Sequence, residues 1–239
     1  MQSTLSLEAI EEIDFEVAKR DFRFFFEEIL GFQLSWHHEQ WYTNLESRKR
    51  YCVKAARDHG KSTLFLGYML WKTAFNPKTK AVLISHSLHQ SIHHMRTLND
   101  LIDGVPFLAK MKKADSWSKT FFGFSNGSNI SAKSVGGAIR GIHPDLILCD
   151  DILWGTTDTE LARVASWFYE VLVPTLHHTS KLMIVGTPFT PTDLYTELEQ
   201  RDGYLVETYP AIDAKGVALW PERWDLDSLD ARRNDMPAI

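Results

Sequence analysis

Little in this chain ties it to a membrane, an oxidising compartment or a polyanionic partner. It has only two cysteines, Cys52 and Cys149. Both fall in apolar, strand-like runs, so buried thiols in a reducing compartment are expected and a disulfide framework is excluded. No apolar run reaches the roughly 18 residues that span a bilayer. Met1 to Glu8 also lack the basic start and apolar stretch of a secretory signal, and the expected location is the cytoplasm. Positive charge is not in excess: 26 Lys and Arg stand against 31 Asp and Glu, a formal charge of −5. Contact with nucleic acid must then be local, salt-sensitive or shared among subunits. Arg48-Lys49-Arg50 and the trio Lys110, Lys112 and Lys113 are the candidate clusters, though each reads more readily as a solvated face. Repeats and low-complexity tracts are missing. Of ten histidines, His86, His89 and His93 can share a helix face, but no nearby cysteine or carboxylate completes a tetrahedral zinc set.

What the chain does have is apolar content: 44% of 239 residues is enough to bury one α/β domain. Apolar positions at helical spacing make the opening, to about Leu30, read as one amphipathic helix. Ser35 is placed to cap a helix through Trp41. Strands are expected over 51–56, 81–85, 144–149, 181–185 and 204–208, with helices over 64–75, 88–103, 159–171 and 192–199. The alternation implies a parallel sheet with helices on both faces. Between 120 and 134 the alternation around Asn126-Gly127 predicts a small hairpin inserted beside that sheet. The pattern becomes irregular from Asp213 onward.

Chemistry concentrates at three strand ends. Arg57-Asp58-His59-Gly60-Lys61-Ser62-Thr63 follows the first strand and opens a helix. There backbone N–H groups around Gly60 can wrap a phosphate, Lys61 can reach the β/γ oxygens and Ser62 can ligate Mg²⁺. The first glycine of a regular P-loop is replaced by Ala55. Pro144 to Cys149 is an apolar run that ends in Asp150-Asp151, where one carboxylate can hold Mg²⁺ and its neighbour can take a proton from water. The third strand stops at Gly186-Thr187-Pro188.

In their order and spacing these segments resemble the ATPase domain of large terminase subunits, the viral motors that package double-stranded DNA into a prohead. The likeness covers most of the chain from about Trp36 to Arg223. It implies an additional-strand, RecA-like P-loop NTPase fold, with the Gly-Thr-Pro strand between the P-loop strand and the acidic strand. It divides the chain into an N-terminal helical segment at 1–35, an ATPase core at 36–212 and, at 213–239, a linker toward an absent C-terminal nuclease domain. It further implies that Gln40 reads adenine and that Arg57, Asp58, His59, Gly60, Lys61, Ser62 and Thr63 hold ATP. Ser62 and Asp150 would hold Mg²⁺, Asp151 would stand where many relatives have a catalytic glutamate, and Gly186, Thr187 and Pro188 would couple hydrolysis to DNA. Glu160 is a fallback base.

An arginine at the γ-phosphate is worth about 10³ to 10⁵ in rate. Arg57, inside the loop, is the first candidate in cis and Arg140 the second; Arg96, Arg163 and the lysines near Met111 are open as trans candidates. The expected partners are double-stranded DNA, a portal protein and a small terminase subunit, with the subunits in a homo-oligomeric ring when assembled and monomeric alone, in the host cell cytoplasm. Nothing after Tyr209 resembles a nuclease site, so no nuclease activity is expected of this chain. The competing readings are a superfamily-two-like helicase or translocase and a nucleotide-gated assembly module with little turnover.

Overall fold

The computed structural model describes residues 6–155, 157–187, 190 and 193–235. The described residues form eight strands: β1 Arg50–Ala55, β2 Lys80–Ser85, β3 Lys112–Ser118, β4 Phe121–Phe124, β5 Asn129–Ser134, β6 Leu146–Asp150, β7 Lys181–Gly186 and β8 Leu205–Tyr209. They form one sheet in the order β3-β4-β5-β2-β6-β7-β1-β8. From β5 to β8 every pairing is parallel; β3 and β4 add antiparallel pairs at one edge. The described helices are α1 Leu7–Arg20, α2 Phe22–Phe24, α3 Trp36–Ser47, α4 Lys61–Phe75, α5 Leu88–Gly104, α6 Pro106–Lys110, α7 Asp158–Trp167, α8 Leu194–Glu199 and α9 Leu226–Asn234.

The apolar runs of the central strands are continuous because both faces of the sheet are covered. Alternate residues go to opposite layers. Tyr51, Val53, Leu83, Leu148, Met183 and Val185 pack with helices α3 to α6. Cys52, Ile84, Ile147, Cys149, Leu182 and Ile184 pack with α7 and α8. Cys52 and Cys149 are free and fully buried, as expected, and burial pushes both thiols up. β7 lies between β6 and β1, which is the additional-strand order, so the ends of the P-loop strand and the acidic strand flank it.

Several boundaries differ from the sequence reading, each for a local physical reason. The opening helix breaks at Asp21, whose backbone is extended and whose carboxylate accepts from the N–H groups of Arg23 and Phe24 at 2.8 and 3.3 Å, starting a new helix. That helix widens into a π-helical turn over Phe25–Ile29. The hairpin does not sit beside the sheet: β5 pairs directly with β2, and β4 and β3 extend the same sheet. Strand β3 carries lysines rather than an apolar alternation, so its sequence reads as surface. Helix α7 is capped by Thr157, not Thr159, and continues as π and 3-10 turns to Thr175. Asp193 caps α8; Thr192, expected to do so, lies outside the described residues.

The N-terminal segment is part of the core. Phe22 is fully buried, stacked on Tyr42 at 4.7 Å and packed against Phe26, Tyr68 and Trp71. Helix α3 carries a second contact that matters for the loop after β1. The Ser35 N–H donates to His38 Nδ1 at 3.0 Å, which leaves His38 Nε2 protonated to donate to the His59 carbonyl at 3.0 Å. His37 Nε2 approaches the same carbonyl at 3.3 Å.

Two outcomes test this packing. Phe22→Ala should cost roughly 3–5 kcal/mol of unfolding free energy in denaturant titration; a loss below about 1 kcal/mol would mean that the N-terminal segment is not core. The second concerns pH. Burial first, and for His37 also its neighbour His38, lowers His37 and His38 from 6.5 to about 3 and about 4. The unfolded chain therefore binds more protons between those values and 6.5, so stability is fully present above pH 6.5 and is lost as pH falls. Unfolding free energy should drop by roughly 2–3 kcal/mol between pH 6.5 and 5, above the carboxylate range, and less in His38→Gln. A flat profile in that window would contradict the neutral, buried imidazoles.

Candidate active site

The turn from β1 into α4 is built for an anion. Asp58 and Gly60 both have left-handed backbones, φ 64 and 77, a conformation that turns successive N–H groups toward one side of the chain. Asp58 tolerates it because a short polar side chain can. Gly60 is required twice over: by its φ, and because a Cβ there would overlap the His38 ring. Lys61, the first residue of α4, is buried, and its Nζ donates to the carbonyls of Ala55 and Ala56 at 2.7 Å each. One of its three N–H bonds has no partner among the described residues. Burial pulls the Lys61 ammonium down from its ordinary value, opposed by Asp151 and Asp150.

The acidic side faces this loop from β6. Asp150 is buried; His94 Nε2 of α5 lies 3.0 Å from its Oδ2, and its Oδ1 has no hydrogen-bond partner among the described residues. Asp151 follows the strand in a left-handed conformation, φ 47, fixed by its N–H on the Val185 carbonyl at 2.9 Å. Its Oδ1 accepts the Thr187 N–H at 3.3 Å, which links the carboxylate to the end of β7. Desolvation, then the neighbouring Asp150 charge, raise the Asp151 carboxyl above the usual carboxylate range, opposed by Lys61. Gly186 has the fully buried Tyr195 directly beneath it, where a Cβ would overlap the phenol.

Arg57, Asp58, Gly60, Lys61, Ser62, Thr63, Asp151 and Arg223 line one cavity of about 340 Å³. A second, of about 480 Å³, shares Gly60, Thr63 and Arg223 and extends past Phe32, Gln33, His38 and Trp220. The expected loop residues and Asp151 are thus brought together, with His59 buried behind the loop. Gln40 is exposed on α3 and lines neither cavity; Gln33, seven residues earlier, lines the second. Arg140 is exposed in the loop before β6 and lines neither. Glu160 serves as a capping-box acceptor for Thr157 N and Oγ1 at 3.2 and 2.8 Å. Pro188 lies outside the described residues. Among the described residues no group of three His, Cys, Asp or Glu side chains could hold a metal.

Sequence reasoning missed the contributions of residues 219–234. This segment returns over the phosphate loop: Trp36 Nε1 donates to the Leu219 carbonyl at 2.9 Å, and Trp220 packs edge-on against His38 at 4.7 Å. Trp224 Nε1 donates to the Asp58 carbonyl at 3.2 Å and Arg232 pairs with the Asp58 carboxylate at 2.6 Å. The available signal was the local density of tryptophan and arginine in Trp220-Pro221-Glu222-Arg223-Trp224, which has no periodicity to announce a packed element.

No protein-family model matches the chain. Over 177 residues it is 29% identical to the large subunit of the terminase of Enterobacteria phage T3, covering 69% of this chain and 30% of that subunit. The chain thus spans about a third of the length of that relative. Among solved structures, the large terminase ATPase domain of Thermus phage P74-26 superposes with a TM-score of 0.64 at 18% identity, over 88% of this chain and 92% of that one. The large terminase of bacteriophage HK97 gives 0.66 at 16% identity, over 92% of this chain and 52% of that one. No described helix is long and apolar enough to cross a membrane. By sequence the chain is similar to the large terminase subunit of phage T3, and its fold is similar to that of large terminase ATPase domains.

Proposed function

We propose that this chain is the ATPase motor portion of a viral large terminase, which hydrolyses ATP to move double-stranded DNA into a prohead. The observation that carries the reading is the left-handed phosphate loop with Lys61 buried at its foot and Asp150 and Asp151 across β7 from it. The loop N–H groups and Lys61 bind the β- and γ-phosphates and neutralise charge that grows in the transition state. Arg57, exposed on the loop and without an ion pair among the described residues, adds charge in cis.

Magnesium fits this site. The unpartnered Oδ1 of buried Asp150 and the Ser62 hydroxyl in the first turn of α4 are hard oxygen donors of the kind Mg²⁺ takes. When bound, the ion would offset the charge of the phosphates. Asp151 is the base or orienter for the attacking water, and its raised pKa suits it to accept a proton. Because Thr187 donates to Asp151, loss of the γ-phosphate is transmitted to β7, which supports a coupling role for Gly186 and Thr187 and, by likeness, Pro188. The base of the nucleotide occupies the second cavity, where Gln33 rather than Gln40 is placed to read adenine. DNA, portal protein, small terminase subunit and a ring of like subunits complete the machine, working in the host cytoplasm.

Phosphate release tests the chemistry. Lys61→Ala should abolish turnover and weaken nucleotide binding in a folded protein, since Lys61 charge serves the phosphates. Asp151→Asn should keep ATP bound and lose about 10²-fold or more in turnover. An Asp151→Asn protein as active as the parent would move the base elsewhere, and a parent that binds ATP without turnover even with DNA and portal would favour the assembly-module reading. Base selectivity gives a separate check: Gln33→Ala should erode preference for ATP over GTP while Gln40→Ala leaves it, and the reverse pattern would return the role to Gln40.

A further inference from the structure

We propose that Arg223, delivered by the C-terminal segment that folds back over the loop, is a phosphate ligand of the bound nucleotide in cis. The proposal rests on the nucleotide reading of the loop given above and adds to it a residue far outside the loop in sequence. Three observations converge on Arg223.

Among the described residues it is one of three that line both cavities, the others being Gly60 and Thr63 of the loop itself. A side chain at that junction stands where the phosphate end of a nucleotide meets its base end. It is also an arginine without a carboxylate. Among the described residues Arg223 makes no ion pair; its guanidinium lies over the Trp220 ring at 5.1 Å, an arrangement that holds the planar fork while leaving its N–H groups for another acceptor. Arg232, in the same segment, is by contrast spent on Asp58.

The third observation is the charge balance. Arg57, Lys61 and Arg223 line one cavity, and of its carboxylates Asp58 is already neutralised by Arg232, which holds it below the usual range. That leaves Asp151, with the buried Asp150 behind it, facing three cations, an arrangement that still suits a polyanion. The Trp36 bond to the Leu219 carbonyl before Arg223, and the Trp224 and Arg232 bonds to Asp58 after it, anchor the segment on both sides, so the guanidinium is held at the site. An arginine fork reads phosphate bidentately, and the segment that leaves the core is thereby tied to the state of the nucleotide.

The experiment is equilibrium binding of a non-hydrolysable ATP analogue, ADP and adenosine to the intact chain and to Arg223→Gln, Arg223→Lys and Lys61→Ala, with thermal melting as a fold control. Arg223→Gln is expected to weaken the ATP analogue roughly tenfold to a hundredfold, the scale of a charge-assisted hydrogen bond. ADP should weaken as well, adenosine should be unchanged, and Arg223→Lys should keep part of the affinity. Equal losses for adenosine and the ATP analogue would overturn the proposal by reducing Arg223 to a wall of the base cavity. Unchanged ATP affinity in Arg223→Gln beside a large loss in Lys61→Ala would overturn it too and leave the loop assignment standing. No loss in either variant would overturn the nucleotide reading and this proposal with it.

Discussion

The peptide between His59 and Gly60 sets the geometry on which the site depends. Its carbonyl is held by two imidazoles of α3, at 3.0 and 3.3 Å. Because a trans peptide is planar, pinning the carbonyl toward α3 directs the Gly60 N–H the other way, away from the helix. The left-handed backbones at Asp58 and Gly60 then turn the loop around that fixed unit. His38 donates at Nε2 while accepting the Ser35 N–H at Nδ1, which requires the neutral ring, and desolvation in the core lowers the pKa of both imidazoles. A loop that lacks the usual first glycine, with Ala55 in its place, is thus shaped from outside by a neighbouring helix.

From that unit the structure runs in two directions. Through β1, β7 and β6 it reaches Asp151, whose backbone N–H is bound to Val185 and whose carboxylate is bound to Thr187. The end of β7 is therefore in contact with the carboxylate proposed to handle the attacking water, a short route from that group to the rest of the sheet. Through Asp58 it reaches the C-terminal segment, where Trp224 and Arg232 grip the loop's backbone and side chain. The phosphate loop is clasped between α3 and a segment more than 150 residues later in the chain.

Much of this was legible beforehand, and for identifiable reasons. Central strands buried on both faces read as apolar runs, so β1, β2, β6, β7 and β8 were expected close to where they lie, and the loop and Asp150-Asp151 are contiguous motifs. What failed to show itself depends on distant contacts. Strand β3 is a lysine-bearing edge strand whose pairing with β4 has no counterpart in its own sequence. The helix break at Asp21 depends on one carboxylate choosing backbone N–H groups over solvent. Gln40, singled out by motif, sits on the exposed face of α3, while His37, His38, Trp41 and Leu45 take the buried one. Arg223 and Trp220 carry no local pattern, and only the return of the chain brings them to the loop.

The central claim is that the phosphate loop is a nucleotide cradle closed from both sides by α3 and the returning segment. Hydrogen exchange of the intact chain, with and without a saturating non-hydrolysable ATP analogue and Mg²⁺, tests it most directly. Protection should rise together in peptides covering 57–63 and 219–224, with smaller gains at 150–151 and 186–187. Protection confined to the loop with 219–224 unchanged would contradict the closed cradle, and protection that avoided 57–63 would contradict the site itself.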